Sequence, residues 1–238
     1  LRYCKMNSIS SLTFHGCCAV FHVYLVHWLM FEIGLEIVEM ASFFTVWVCV
    51  FHLVMYLTLA AHDARQIFST AKHGETSERS FDVLNNESFF GLFLHLSVVM
   101  SSFNQLGFWF LFYIDREMIL PASVGVPPSH NHMLHSIPLF LALIAVNIFT
   151  SNFPNAKEER NCRSISQTGI KAVCLLTFLY LTFIWIVFEL KGVWPYRFMF
   201  SFTRLDYFIF TFSSFLVSFL LCYICSFIET KIKNVKIL

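Results

Sequence analysis

Six long apolar runs, at residues 10–31, 41–61, 89–113, 132–150, 171–190 and 206–228, constrain this chain more than any other feature of it. Each is close to the ~20 residues that a helix needs to cross ~30 Å of hydrocarbon. Between them the polar stretches are short, the longest being residues 62–88, which join the second and third runs. The composition agrees: 57% of residues are apolar, 13% are charged and the mean hydropathy is +0.67, well beyond a water-soluble domain of this length. The 30 Phe sit in continuous runs rather than in a polar/apolar alternation, which favours spanning helices over the strands of a barrel. The expected fold is an all-α membrane protein, a bundle of six transmembrane helices forming one domain over residues 1–238. The first run is longer than a signal-peptide core and is followed by Glu32, Glu36 and Glu39 instead of a small-residue cleavage site, so it is expected to be retained.

Orientation is read from Lys and Arg, which collect in short cytoplasmic loops. Arg2, Lys5, Arg65, Lys72, Arg79, Lys157, Arg160, Arg163, Lys171, Lys231, Lys233 and Lys236 fall on the side of the two termini, whereas Arg116, Lys191, Arg197 and Arg204 fall on the other. Both termini are therefore expected in the cytoplasm, with residues 32–41, 114–131 and 191–205 lumenal or extracellular. The eight cysteines (Cys4, Cys17, Cys18, Cys49, Cys162, Cys174, Cys222 and Cys225) all lie in spans or on the cytoplasmic side, so no structural disulfide is expected. Cys222 and Cys225 have redox-motif spacing, but within an apolar helix they read as two small residues on one face. The glycosylation triplet Asn86-Glu87-Ser88 falls in a cytoplasmic loop and is expected to stay unmodified. The net charge of +1 says nothing more about partners, and no basic stripe suggests nucleic acid.

Ionisable and amide groups inside hydrocarbon cost a few kcal/mol each unless paired or hydrated, so their clusters mark candidate sites. The densest is His130-Asn131-His132-Met133-Leu134-His135, at the start of the fourth span. At helical spacing Asn131, His132 and His135 share a face, and Pro138, having no N–H, leaves the Leu134 carbonyl without its helical donor. Three readings compete: histidines hydrated at a helix entrance, a zinc or iron site, and a general base acting on a hydroxyl of another span. The metal reading suffers because His15, His22, His27, His52, His62, His73 and His95 are scattered singly. For the third, Thr45 and His135 each lie about four residues into their spans, ~6 Å below the helix starts, which lets them meet across an interface. Thr58, Thr177, Thr182 and Thr211 are also intramembrane, so periodicity does not single out Thr45.

Asp115-Arg116-Glu117-Met118-Ile119-Leu120-Pro121 followed by Asn131-His132-Met133-Leu134-His135-Ser136, with Phe43-Phe44-Thr45 in the second span, resembles the androgen-induced protein and androgen-dependent TFPI-regulating protein family. The likeness runs from about Ala41 to the end of the chain, with Ser136 standing where the family usually has Thr. It implies an intramembrane carboxylic ester hydrolase acting on fatty acid esters of hydroxy fatty acids. Thr45 would then be the nucleophile and His135 its base, with Asn131 in support, His132 a neighbour and no cofactor or metal. The implied partners are a lipid ester drawn from the bilayer and membrane lipids, in the endoplasmic reticulum or plasma membrane. Trp109, Trp185 and Trp194 are expected to anchor or pack rather than touch substrate. The alternative is a non-enzymatic six-span channel, transporter or scaffold with Glu36, His95, Asn104, Gln105 and Glu189 as its polar path.

Overall fold

The computed structural model describes residues 8–32, 37–73, 82–119, 126–152, 159–192 and 194–235, with the side chains of residues 70–88, 150–167 and 228–235 outside the description. The described residues form helices α1 (Ser8–Phe31), α2 (Ile37–Ala41), α3 (Phe44–His73), α4 (Asp82–Ile114), α5 (Pro128–His135), α6 (Ile137–Asn152), α7 (Glu159–Lys191) and α8 (Arg204–Val235), and no strand. Six stretches are long and apolar enough to cross a membrane: Ser8–Phe31, Phe44–Ser69, Phe89–Ile114, Pro128–Phe149, Thr168–Lys191 and Arg204–Phe227. The Asn86 triplet and most of the basic residues that carry the orientation reading lie outside the described residues and side chains.

α1 packs along α3, α7 along α8, and α4 touches α3, α6, α7 and α8, which makes it the most buried of the spanning helices. Inward residues of α1, α3 and α4 (Cys18, Ala19, Met55, Tyr56, Leu59, Phe90, Leu94) form one core with Ala145 of α6. A second joins α4 to α7 and α8 and takes in both Cys222 and Cys225. The six cysteines within the description, Cys17, Cys18, Cys49, Cys174, Cys222 and Cys225, are free thiols. α7 comes so close to α4 at Gly169 that an added Cβ would sit 2.8 Å from His95 Cδ2. Phe208, Phe212, Leu216 and Phe219 of α8 are exposed, as expected where the surroundings are lipid tails.

Several boundaries differ from those expected from the sequence, α7 for example starting at Glu159 rather than 171. Much of residues 62–88 is helical, because α3 runs on to His73 and α4 starts at Asp82. The fourth span starts at Pro128, four residues before the expected 132, since a proline at the first helical position costs no hydrogen bond and arrives with a helical φ. The second starts at Phe44 rather than 41, because the chain ends α2 at Ala41 and turns through Ser42 and Phe43, whose amides donate to the carbonyls of Glu39 and Met40.

Candidate functional site

Where α3 begins, α4 ends and α5 descends, the bundle encloses a cavity of about 390 Å³. Thr45, Asn104, Asn131 and His135 line it together, amid Leu29, Met40, Phe43, Phe44, Val99, Met100, Phe103, Phe108, Leu111, Leu134 and Trp194. All four polar residues are buried, Thr45 being 9% exposed and His135 7%. Contrary to what the sequence leads one to expect, Thr45 and His135 do not lie equally far into their helices: Thr45 is the second residue of α3, whereas His135 is the last of the eight in α5. The shifted helix starts cause the difference, and the two side chains nonetheless share the cavity wall.

The Thr45 hydroxyl donates to Asn104 Oδ1 at 3.0 Å, and Asn104 Nδ2 donates to the Leu134 carbonyl at 3.1 Å. This is the acceptor that Pro138 leaves unpaired, and the helix is broken there into α5 and α6 at Ser136, whose N–H goes to His132 O. An unpaired buried carbonyl costs about 1–3 kcal/mol, so the Asn104 amide relieves a defect written into the chain by Pro138. In doing so its orientation becomes fixed, with the amide oxygen turned to Thr45. Asn104 thus belongs to the site, although the sequence reading placed it in a polar path of the alternative function; the unpaired Leu134 carbonyl was the signal that something had to donate there.

His135 stacks flat on Phe108, ring centroids 3.5 Å apart and planes 7° from parallel, and its Nδ1 is buried with no hydrogen-bond partner. Asn131 Oδ1 is likewise buried and unpartnered. Buried polar atoms are nearly always paired, and these two stay unpaired in residues that line the cavity. Thr45 and His135 are not hydrogen-bonded to each other in this state. His132 departs from the expected shared face: it is exposed, lies against the Trp109 ring at 4.7 Å and has Nδ1 3.4 Å from Ser136 Oγ. The 100° step between successive helical residues turns it away once Asn131 and His135 face inward. His130 stacks on Trp28 at 4.2 Å, with Tyr24 Oη 3.1 Å from its Nε2. Among the described residues no three His, Cys, Asp or Glu side chains are grouped to hold a metal ion.

The first turn of α3 is held from the other side of the cavity. The Phe44 N–H donates to Tyr196 Oη at 3.0 Å, and Tyr180 Oη donates to the Ser42 carbonyl at 2.9 Å. The first amides of a helix have no partner within it, so Tyr196 supplies what the backbone lacks next to Thr45. Burial raises the Tyr196 pKa, which keeps its phenol protonated. Trp194, expected to anchor or pack, both stacks on Phe188 at 3.9 Å and lines the cavity. Of the alternative polar path, His95 contacts Cys222 Sγ at 3.2 Å and is not among the residues lining the cavity, Glu189 is exposed and Glu36 lies outside the described residues.

The family model described as FAR-17a/AIG1-like protein matches residues 10–230. The chain is 28% identical over 108 residues to the androgen-dependent TFPI-regulating protein of Homo sapiens, covering 44% of this chain and 42% of that protein. It is 27% identical over 94 residues to the Homo sapiens androgen-induced gene 1 protein, covering 39% of this chain and 35% of that one. The aligned regions therefore span less than half the length of these curated relatives, and no solved structure matches. With nearly its whole length matched by the family model, this six-span helical chain belongs to the FAR-17a/AIG1-like family.

Proposed function

We propose that the chain is an intramembrane hydrolase of lipid esters, of the class of fatty acid esters of hydroxy fatty acids, with Thr45 as nucleophile and His135 as base. The observation that carries the reading is that a threonine hydroxyl and an unpaired imidazole line one buried cavity whose other walls are mostly apolar. A cavity of that kind suits an acyl chain, with Thr45, Asn104, Asn131 and His135 in its wall where a bond could be cut.

In this mechanism the Thr45 hydroxyl leaves Asn104 as the ester enters, and His135 takes its proton while the oxygen attacks the ester carbonyl carbon. The tetrahedral intermediate collapses with cleavage of the bond to the alcohol oxygen. That oxygen receives the proton from the imidazolium and departs as the hydroxy fatty acid, leaving an acyl-threonine. Water, deprotonated by the same imidazole, attacks the acyl carbon; the C–O bond to Thr45 breaks, its oxygen regains the proton and the fatty acid leaves. Asn131, which lines the cavity, is the proposed donor to the intermediate's oxyanion through its side-chain NH2 group. No metal or cofactor takes part. The same reading places both termini in the cytoplasm, the cavity near the lumenal or extracellular face of the endoplasmic reticulum or plasma membrane, and the substrate's entry from the bilayer.

The test is covalent labelling by a fluorophosphonate probe alongside hydrolysis of a fatty acid ester of a hydroxy fatty acid. Thr45→Ala is expected to remove both signals and Thr45→Ser to keep part of each. The double variant Thr45→Ala/His135→Ala should be no worse than Thr45→Ala alone, because the two residues act as one unit. Well-expressed Thr45→Ala protein that still hydrolyses the ester and still takes the probe would overturn the reading.

A further inference from the structure

The cavity is chemically lopsided along its length. Thr177 of α7 and Ser218 of α8 line its inner end, each 14 residues from the end of its helix nearest Arg197 (Lys191 and Arg204), and thus ~21 Å along the helix axis from that end. Between these points the wall is mostly apolar, with Val99, Met100, Phe103, Leu176, Leu181 and Phe210 around the uncharged polar groups of Thr45, Asn104, Tyr180 and Ser214. At the outer end lies Arg197, which alone among the lining side chains carries a full charge.

Arg197 opens the short 3-10 turn Arg197–Ser201, which faces a second such turn, Arg116–Met118. Its side chain is 56% exposed, and among the described residues its guanidinium makes one hydrogen bond, Nη1 to Glu117 Oε2 at 3.1 Å. A guanidinium has five N–H donors in a planar fork that matches a carboxylate in bidentate fashion, so most of its capacity stays open at the cavity mouth. A single cation at the rim of a long apolar cleft is the complement of an amphiphile with an anionic head and an apolar tail.

We propose that Arg197 is the anchor for a free carboxylate on the substrate, so that the site selects lipid esters that carry a carboxylic acid over neutral esters. The proposal rests on the hydrolase reading above, whose substrate class carries a carboxylate on its alcohol half, and it assigns the residue that reads that group. The acyl arm of that ester runs inward between α4, α7 and α8, its ester group lies at Thr45, and its acid end meets Arg197 at the rim. Glu117 competes for the same guanidinium, so it sets how strongly the anchor holds. The two residues therefore act with opposite signs.

The measurement is kcat/KM for one fatty acid ester of a hydroxy fatty acid and for its methyl ester, which differ only in the charge at the acid end, using full-length protein in detergent. Comparing the acid-to-methyl-ester ratio between variants cancels the different partitioning of the two lipids. Arg197→Gln is expected to lower that ratio roughly ten- to hundredfold, chiefly through KM for the acid, the scale of a charge-assisted hydrogen-bonded pair. Arg197→Lys should restore part of it, and Glu117→Gln should raise it. If the Arg197–Glu117 pair only clamps the two turns together, both neutral variants will impair both substrates alike and leave the ratio unchanged, which overturns the anchor. If the unsubstituted protein cleaves neither ester, the hydrolase reading itself fails, a result distinct from cleavage with an unchanged ratio.

Discussion

Two of the buried histidine sites in this bundle differ in what their ring nitrogens do. In the core between α1, α3 and α4, His22 Nδ1 meets the Cys18 carbonyl at 2.8 Å, and its Nε2 lies 3.2 Å from His52 Nδ1. His52 Nε2 in turn has the hydroxyls of Ser97 and Ser101 at 2.7 and 2.9 Å. Both rings are fully enclosed, and Tyr56 packs against each. At the cavity, His135 is buried almost as deeply, yet its Nδ1 has no partner and its ring is held by stacking on Phe108. Saturated nitrogens make a histidine part of the scaffold, because every lone pair and proton is already committed. A ring in a cavity wall with an uncommitted nitrogen still has a position at which a proton can be exchanged, as the proposed mechanism requires.

Removing each histidine in turn tests the contrast most sharply. His135→Ala is expected to lower ester turnover by about 10²–10⁴-fold, the usual contribution of a general base, with the protein still inserted and folded. His52→Ala should act on stability instead. Interhelical hydrogen bonds in membranes average about 0.6 kcal/mol, and losing those to Ser97, Ser101 and His22 should lower the melting temperature in detergent while turnover per folded molecule stays close to the original. A His52→Ala protein with unchanged melting and turnover as poor as that of His135→Ala would erase the distinction.

A smaller effect is expected at Asn104, which stands between scaffold and site. Asn104→Leu removes both the acceptor for Thr45 and the donor for the Leu134 carbonyl. Misplacing a nucleophile slightly can cost up to 10²-fold, so kcat should fall roughly ten- to hundredfold with KM little changed. Asn104→Asp keeps the acceptor and loses the donor; if it is as poor as Asn104→Leu, the bond to Leu134 is the one that matters. The smallest effect is expected for His132→Ala. This exposed side chain touches Trp109 and Ser136 outside the cavity, and surface changes of this kind stay within ~0.5 kcal/mol, about twofold in rate. A large loss of activity there would mean that the inner and outer faces of α5 have been assigned the wrong way round.

The six spans were legible in the sequence because they depend on local desolvation: a run of ~20 apolar residues has few alternatives to a helix in hydrocarbon, whatever it packs against. The prominence of residues 130–135 was legible for the same reason, polar groups at the edge of hydrocarbon being costly wherever the helix ends up. So was the unpaired carbonyl of Leu134, since it follows from the missing N–H of Pro138 alone. The sequence did not show that Asn104, thirty residues earlier, takes that carbonyl and then receives the Thr45 hydroxyl, because the three groups come from three separate helices. Nor did it show that His132 turns out while Asn131 and His135 turn in, or that Tyr196 caps the helix on which Thr45 sits. Those outcomes are set by how far each helix is rotated and shifted against its neighbours. A helical repeat specifies which residues share a face but leaves open which face looks inward, and packing across the bundle alone decides it.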